Sequence, residues 1–88
     1  KRLKDKKAES RTLNAIANVY YSLSNFEKAI EYYDECIFVL QSIGDMNFEA
    51  TVLTNRGLSY QLNGDLRAAL NNYLESLSIY KSSNSEIH

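Results

Sequence analysis

Few residues of this chain are of types that do chemistry. Cys36 is its one cysteine, and His88, the last residue, is its one histidine. The sequence therefore offers no disulfide framework, no histidine or cysteine-rich metal site and no Cys–His catalytic pair. Cys36 follows Tyr33 by about one helical turn, on the face predicted to be packed. We predict a buried structural thiol there, with a reactive thiol as the alternative.

An acidic strip is the second group that could do chemistry. Its members are Glu27, Glu31, Asp34 and Glu35. Four carboxylates could bind calcium, but a calcium loop needs a central glycine and this strip has a helical pattern. We therefore predict a solvated convex face. Since no glycine-rich phosphate loop is found either, we predict a non-enzymatic protein with no catalytic residues, no cofactor and no metal.

Composition indicates one soluble globular domain. The 88 residues are 44% hydrophobic and 24% charged, with a net charge of -1, which excludes a disordered or fibrous chain. No apolar run approaches the roughly 18 residues that span a bilayer, and no signal peptide is visible. We predict a cytoplasmic protein. Because the sequence starts at Lys1 rather than Met, we expect it to be part of a longer one.

The positive charge is concentrated at the start of the chain. The first eleven residues carry six basic and two acidic groups, whereas residues 12–88 carry four basic and nine acidic groups. Such a cluster can bind phosphates, an anionic membrane or an acidic peptide. We favour a solvated helix start that an acidic neighbour complements. The near-zero net charge argues against a nucleic-acid partner, and RNA contact would require a steep salt dependence. The basic residues are Lys1, Arg2, Lys4, Lys6, Lys7 and Arg11.

The elements that must position these residues are helices. The chain has no proline and only three glycines, and its apolar residues recur at steps of three and four. This pattern predicts four helices, at about 6–23, 26–42, 46–63 and 66–82.

Turn signals lie between the predicted helices. The segment from Ser24 to Glu27 has the pattern of a capping box. Gly44-Asp45 and Gly64-Asp65 each pair a helix-ending glycine with an N-cap aspartate. Because these connections are short, sequential helices must be antiparallel.

The chain aligns with itself when it is shifted by 40 residues. A fixed period of this size indicates a solenoid of stacked helix pairs. We predict one repeat at 5–43 and a second at 44–83, a remnant of a preceding repeat at 1–4, and a tail or the start of a next repeat at 84–88. The identical pairs are Asp5 and Asp45, Glu9 and Glu49, Leu13 and Leu53, Tyr20 and Tyr60, Ala29 and Ala69, Tyr33 and Tyr73, Glu35 and Glu75, and Ser42 and Ser82.

The repeated residues resemble a known family. Leu13-x2-Ile16-Ala17-x2-Tyr20 and Leu53-x3-Gly57-x2-Tyr60 resemble the first helix of a tetratricopeptide repeat. The usual period is about 34 residues, and this chain resembles the longer subclass, whose Gly-Asp-x-x-x-Glu-Ala junction matches 44–50. The resemblance implies an all-α fold: an α-solenoid fragment of two antiparallel helix-turn-helix repeats with right-handed superhelical stacking.

Two positions depart from the family pattern. Ala17 stands where the family usually has glycine, and alanine still fits. Arg56 occupies a usually apolar place, equivalent to Ile16. We expect its stem to pass the core and its charged end to reach solvent.

The resemblance also implies a concave surface, lined by the first helix of each pair, that binds an extended or helical peptide. Amide side chains suit this task because they donate and accept hydrogen bonds at once. Tyr21 directly follows a core tyrosine, so it should project away from the core. The candidate groove residues are Arg11, Asn14, Asn18, Tyr21, Thr51, Asn55, Leu58 and Gln61, with Thr54 as an alternative to Asn55.

Several functional hypotheses remain open. Asn18 and Asn55 match the asparagines with which some members clamp the C-terminal carboxylate of heat-shock chaperones, but Asn14 replaces the lysine of that clamp. We favour a row of asparagines that hydrogen-bonds to a peptide backbone. The alternative is a solvated groove that binds no ligand. The favoured function is an interaction module within a larger scaffold or regulator. The others are a sensory domain coupled to a signalling output, and self-association through uncovered apolar ends at Ile79 and Tyr80.

Overall fold

The computed structural model describes residues 3–85, with side chains for residues 5–83. Four helices follow one another, and the described residues include no strand. The four predicted helices are therefore confirmed. The predicted remnant at 1–4 and tail at 84–88 lie partly outside the described residues, as do Lys1, Arg2, His88 and the Lys4 side chain. The helices are α1 (Leu3–Ser22), α2 (Phe26–Ile43), α3 (Met46–Leu62) and α4 (Leu66–Ser85).

Two of the three turns have the predicted caps. Gly44 adopts a left-handed φ of 72° at the end of α2, and the Asp45 carboxylate accepts a hydrogen bond from the Phe48 N–H at 3.2 Å. Gly64 has a φ of 93°, and Asp65 accepts from the Ala68 N–H at 3.1 Å. Glycine adopts such angles without the penalty of a Cβ.

The first turn differs from the predicted capping box. Ser24 itself takes a left-handed φ of 62°, and Asn25 is the N-cap, its side chain accepting from the Lys28 N–H at 3.3 Å. The cap lies one residue later than predicted because no glycine is available to reverse the chain. Ser24 takes the reversing position, so its hydroxyl does not cap α2.

Each helix packs against the next one along the chain, and α1 also touches α3. The result is a slab of 37 × 32 × 16 Å, in which two antiparallel helix pairs are stacked side by side. This arrangement confirms an all-α solenoid fragment. Its core is formed where the pairs meet and includes Ala17, Ala29, Tyr33, Cys36, Ile37, Leu40, Ala50, Val52, Leu53 and Ile79.

Gly57 marks the closest approach between α3 and α4. A Cβ at this position would lie 2.6 Å from Cε1 of the Tyr73 ring, which is well inside van der Waals contact. In the first pair, the equivalent Ala17 fits with no exposed surface. The second pair therefore requires glycine at a place where the first pair accepts a methyl group.

Arg56 does not extend to solvent as predicted. Its Nε donates to Asn72 Oδ1 at 2.7 Å and its Nη1 donates to Asp34 Oδ1 at 2.6 Å. The side chain is only 20% exposed. Arg56 therefore links α2, α3 and α4 through polar side chains of the two neighbouring helices.

The uncovered face of α4 also differs from the prediction. Ile79 is buried, being only 8% exposed, and belongs to the core cluster. It shares the α3-facing side of α4 with Ala69, Asn72 and Ser76, which are buried as well. Tyr80 is 43% exposed. The exposed apolar surface is instead formed by leucines of the opposite stripe.

Candidate peptide-binding groove

Part of the predicted groove forms a concavity of about 240 Å³ between α1 and α3. It brings together four predicted residues, Asn18, Tyr21, Asn55 and Leu58, with Ser22 and Tyr33 also in its lining. Thr54, the alternative to Asn55, bonds Ala50 O and the Ser76 hydroxyl at 3.1 and 2.9 Å. Thr54 therefore joins α3 to α4, and Asn55 is the residue that lines the concavity.

Asn18 is held in place by a core tyrosine. The Tyr33 hydroxyl, which comes from α2, donates a hydrogen bond to Asn18 Oδ1. Tyr33 is only 1% exposed, whereas Asn18 is exposed. The amide oxygen of Asn18 accepts this bond, which fixes the orientation of the amide, and its NH₂ group has no partner among the described residues. Asn18 therefore offers two N–H donors to a ligand from a fixed position.

The second repeat contains a similar arrangement. The Tyr73 hydroxyl donates to Gln61 Oε1 at 2.8 Å, and Tyr73 is the repeat equivalent of Tyr33. Gln61 is exposed. In each helix pair, a tyrosine of the second helix thus orients an amide of the first and leaves the NH₂ as donor.

The apolar part of the concavity comes from Tyr21 and Leu58. Tyr21 is half-buried and packs edge-on against Phe26, with ring centroids 5.7 Å apart. It also packs against the core, so it projects away from the core less than expected. Leu58 is 38% exposed. Together they offer a small apolar contact beside the two asparagines.

The other predicted groove residues lie outside this concavity. Arg11 lines a separate depression of about 180 Å³ with Lys7, Asp45 and Phe48. Thr51 is exposed. Asn14 is half-buried, and its Oδ1 is buried without a hydrogen-bond partner among the described residues. An orphan acceptor of this kind costs about 1–3 kcal/mol.

The described part of the basic cluster faces acidic groups of this same chain. Lys7 and Arg11 share their depression with Asp45. Lys6 lines another depression, of about 370 Å³, together with Asp34 and Glu35. Asp34, Glu35 and Asp45 of this chain therefore supply part of the acidic charge that was expected beside the basic start of α1.

Neither a metal centre nor a membrane span is found in the described part of the chain. No group of three or more His, Cys, Asp or Glu residues between 3 and 85 is placed to hold a metal ion. None of the helices α1 to α4 combines the length and the apolar character needed to cross a membrane.

Cys36 is fully buried, and its Sγ lies 3.1 Å from the Ser10 carbonyl oxygen, to which the thiol donates. Burial raises the pKa of the thiol from 9.0 to about 11, against a smaller lowering by the Asn14 backbone N–H. The thiol is therefore protonated near neutral pH, a state that favours packing over nucleophilic chemistry.

We expect the fold to lose stability at high pH because two weakly acidic side chains of α2, Cys36 and Tyr33, are buried. Burial, with smaller contributions from neighbouring Tyr21 and Cys36, raises the pKa of Tyr33 from 10.0 to about 12. Because the unfolded chain ionises first, both contributions are complete below pH 9. That of Cys36 is lost between about pH 9 and 11 and that of Tyr33 between about pH 10 and 12. Each is worth on the order of 2–3 kcal/mol.

Urea unfolding at pH 8, 10 and 11 measures this dependence. Cys36→Ala should flatten the decline that begins near pH 9 and leave the part due to Tyr33. An unchanged pH profile in Cys36→Ala would contradict the assignment of the lower step to the thiol.

Two residues important to the site, Tyr33 and Tyr73, are not among the predicted groove residues. Tyr33 and Tyr73 do pack, but their hydroxyls also orient Asn18 and Gln61. The available signal was the repetition of tyrosine, rather than phenylalanine, at equivalent positions. A hydroxyl retained beside a core indicates a hydrogen-bond partner.

Comparison with known proteins agrees with the geometry. The family model of the tetratricopeptide repeat matches residues 5–82. No curated protein and no solved structure matches the chain significantly. Repeats of this family generally serve as protein–protein interaction modules. With two stacked helix pairs and a family match over most of its length, the chain belongs to the tetratricopeptide repeat family.

Proposed function

We propose that this chain is a non-enzymatic interaction module of a larger scaffold or regulator, and that its concave face binds an extended peptide segment. The observation that supports this proposal is the pairing of Asn18 and Asn55 in one concavity. The Asn18 amide oxygen is already bonded to Tyr33. Its two N–H donors are then available to a ligand.

A peptide main chain supplies the complementary acceptors. An extended segment presents carbonyl oxygens at regular intervals and has no internal hydrogen bonds to lose. The Asn18 NH₂ would donate to one carbonyl, and the Asn55 amide could donate or accept at the next position. Gln61, oriented by Tyr73, would extend the row along α3. Tyr21 and Leu58 would contact one apolar side chain of the ligand.

Recognition of the main chain fits this surface better than recognition of a terminal carboxylate. A carboxylate clamp needs a cation beside the asparagines, and the corresponding position holds the neutral, half-buried Asn14. Arg11, the one cation among the candidate residues, lines a different depression. The concavity therefore offers neutral donors, which suit carbonyl oxygens anywhere along a peptide.

Binding to a synthetic nine-residue peptide array tests the proposal. The best binder is then titrated against the chain and against an Asn18→Ala, Asn55→Ala double variant. Each lost hydrogen bond contributes about 0.5–1.5 kcal/mol, so we expect roughly ten- to a hundredfold weaker binding. Both residues are solvent-accessible, so helicity by circular dichroism should be unchanged.

Asn71→Ala is the matched control. Asn71 is exposed on α4 and lies outside the lining of the concavity. Its substitution should leave the affinity unchanged. Equal affinities for the chain, the double variant and the control would rule out the groove as the binding surface.

A further inference from the structure

The face of α4 that points away from α3 is unusually apolar and exposed. Leu70, Leu74 and Leu77 are 55%, 53% and 48% exposed, and they lie on one helical stripe that ends at Lys81. Their repeat equivalents on α2 are Ile30, Asp34, Ile37 and Gln41, the stripe that packs against α3. We call Leu70, Leu74, Leu77 and Lys81 the α4 stripe. It has the form of a helix interface that no helix covers among the described residues.

At the other end of the helix stack, α1 exposes the face that is equivalent to the α2-facing side of α3. On α3, Glu49 and Arg56 contact α2 through Gln41 and Asp34, and Ser59 follows Arg56 on the same helical stripe; Glu49 and Ser59 are buried. The equivalent residues of α1 are Glu9, Ile16 and Val19, which we call the α1 stripe. Glu9 is exposed and Val19 is 58% exposed, because no helix precedes α1 within the described residues.

The internal α2–α3 interface shows how two such stripes meet. Asp34 pairs with Arg56 at 2.6 Å, and Gln41 donates to Glu49 at 3.0 Å. These two contacts define the register between the antiparallel helices.

If the α4 stripe packs against the α1 stripe in the same register, each of these two contacts has an equivalent pair of residues. The place of Asp34 and Arg56 is taken by Leu74 and Ile16, so an ion pair becomes an apolar pair. The place of Gln41 and Glu49 is taken by Lys81 and Glu9, so an amide–acid pair becomes an ion pair. At the first contact both members change together, and at the second a lysine replaces the glutamine opposite an unchanged glutamate. A change of only one member at the first contact would instead have buried an unpaired charge.

We propose that the α4 stripe of one copy of this chain binds the α1 stripe of a second copy, in the register of α2 against α3. Leu74 then contacts Ile16 of the second copy and Lys81 pairs with its Glu9. The contact is heterologous, since different surfaces of the two copies meet. Each assembly still exposes one free α1 stripe at one end and one free α4 stripe at the other, so it grows as an open array.

This stacking would also lengthen the proposed binding surface. Because the end-to-end register repeats the internal one, the concave faces of successive copies lie on the same side. The row of amides that begins at Asn18 and continues through Asn55 and Gln61 would recur in the next copy. The inference does not depend on peptide binding, which can be measured separately.

Sedimentation equilibrium from micromolar to millimolar concentration tests the proposal. We expect the average mass to rise above the 10.1 kDa of one chain with no plateau at a dimer. Leu74→Asp and Ile16→Arg should each weaken association on the order of a hundredfold, because each buries a charge without a partner. The double variant recreates the residues of the internal pair and should restore association.

Two further arms separate this contact from other modes of association. Phe38→Asp replaces an apolar residue that is 72% exposed on α2 and should not change the mass. An equimolar mixture of Leu74→Asp with Ile16→Asp should give a complex of two chains that grows no further, because only one compatible pair of ends remains.

Three results would overturn the proposal. A single 10.1 kDa species at all concentrations would show that the α4 stripe does not bind a second copy. Association that survives Ile16→Arg but not Leu74→Asp would indicate contact between two α4 stripes. Failure of the double variant to recover would refute the register. Circular dichroism of every variant verifies that the helices are intact.

Discussion

Leu53→Ala is expected to lower the free energy of unfolding by about 3–5 kcal/mol. Leu53 is only 1% exposed and belongs to the core cluster. Its truncation removes buried methyl groups and leaves a cavity that helices packed on both sides of α3 cannot fill. Small domains have a total stability of about 5–15 kcal/mol. We therefore expect the variant to be largely unfolded at temperatures where the unaltered chain is folded.

Leu13→Ala is the matched control, at the equivalent position of the first repeat. Leu13 is only half-buried, so its truncation should cost about 1–2 kcal/mol. Thermal and urea unfolding of both variants measure the difference. Equal losses would contradict the unequal burial of the two leucines and the central position of α3 in the stack.

Arg56→Ala is the second substitution with a large expected effect, a loss of about 2–3 kcal/mol. It removes the partner of Asn72 Oδ1, which is bonded at 2.7 Å on a residue only 6% exposed. The cost of an orphan buried acceptor is about 1–3 kcal/mol. The Asp34 ion pair adds less than its 2.6 Å length suggests, because Asp34 is 52% exposed and solvent screens it.

Lys28→Ala provides the comparison for an ordinary surface pair. Lys28 lies 3.9 Å from Glu31, and both side chains are at least half exposed. Its removal should cost less than about 0.5 kcal/mol. Urea unfolding near neutral pH measures both variants. If Arg56→Ala were as mild as Lys28→Ala, the guanidinium could not be a structural link between α2, α3 and α4.

The helices could be predicted because their signals are local. Gly44 and Asp45 combine a residue suited to a left-handed angle with a side chain that caps the following helix, and both act within a few positions. The same logic failed at Ser24, where no glycine was present. There the chain reversal took precedence over the capping hydroxyl, and Asn25 became the cap.

The position of Arg56 could not be predicted from local pattern. Its partners Asn72 and Asp34 lie 16 and 22 residues away along the chain. The local pattern identifies Arg56 as a charge in a usually apolar place and suggests that its guanidinium reaches solvent. The observed hydrogen bonds depend on α2 and α4, which approach Arg56 only in the folded chain.

Some of the residues that line the candidate groove could be predicted from the sequence, but their contacts could not. Asn18 and Asn55 were found from the family resemblance and do share a concavity. Spacing alone could not show that Tyr33 would orient Asn18, since that contact depends on how α2 packs against α1. Nor could it show that Arg11 would lie in a different depression from the asparagines.

If the concave face binds a peptide through side-chain amides, binding must change the NMR signals of those amides. The most direct measurement is a titration of the ¹⁵N-labelled chain with the peptide selected from the array, following the side-chain NH₂ resonances by NMR. The proposal predicts that the Asn18 and Asn55 signals shift and saturate together, while the Asn71 signal stays in place. Binding that leaves the Asn18 and Asn55 signals unmoved would contradict it.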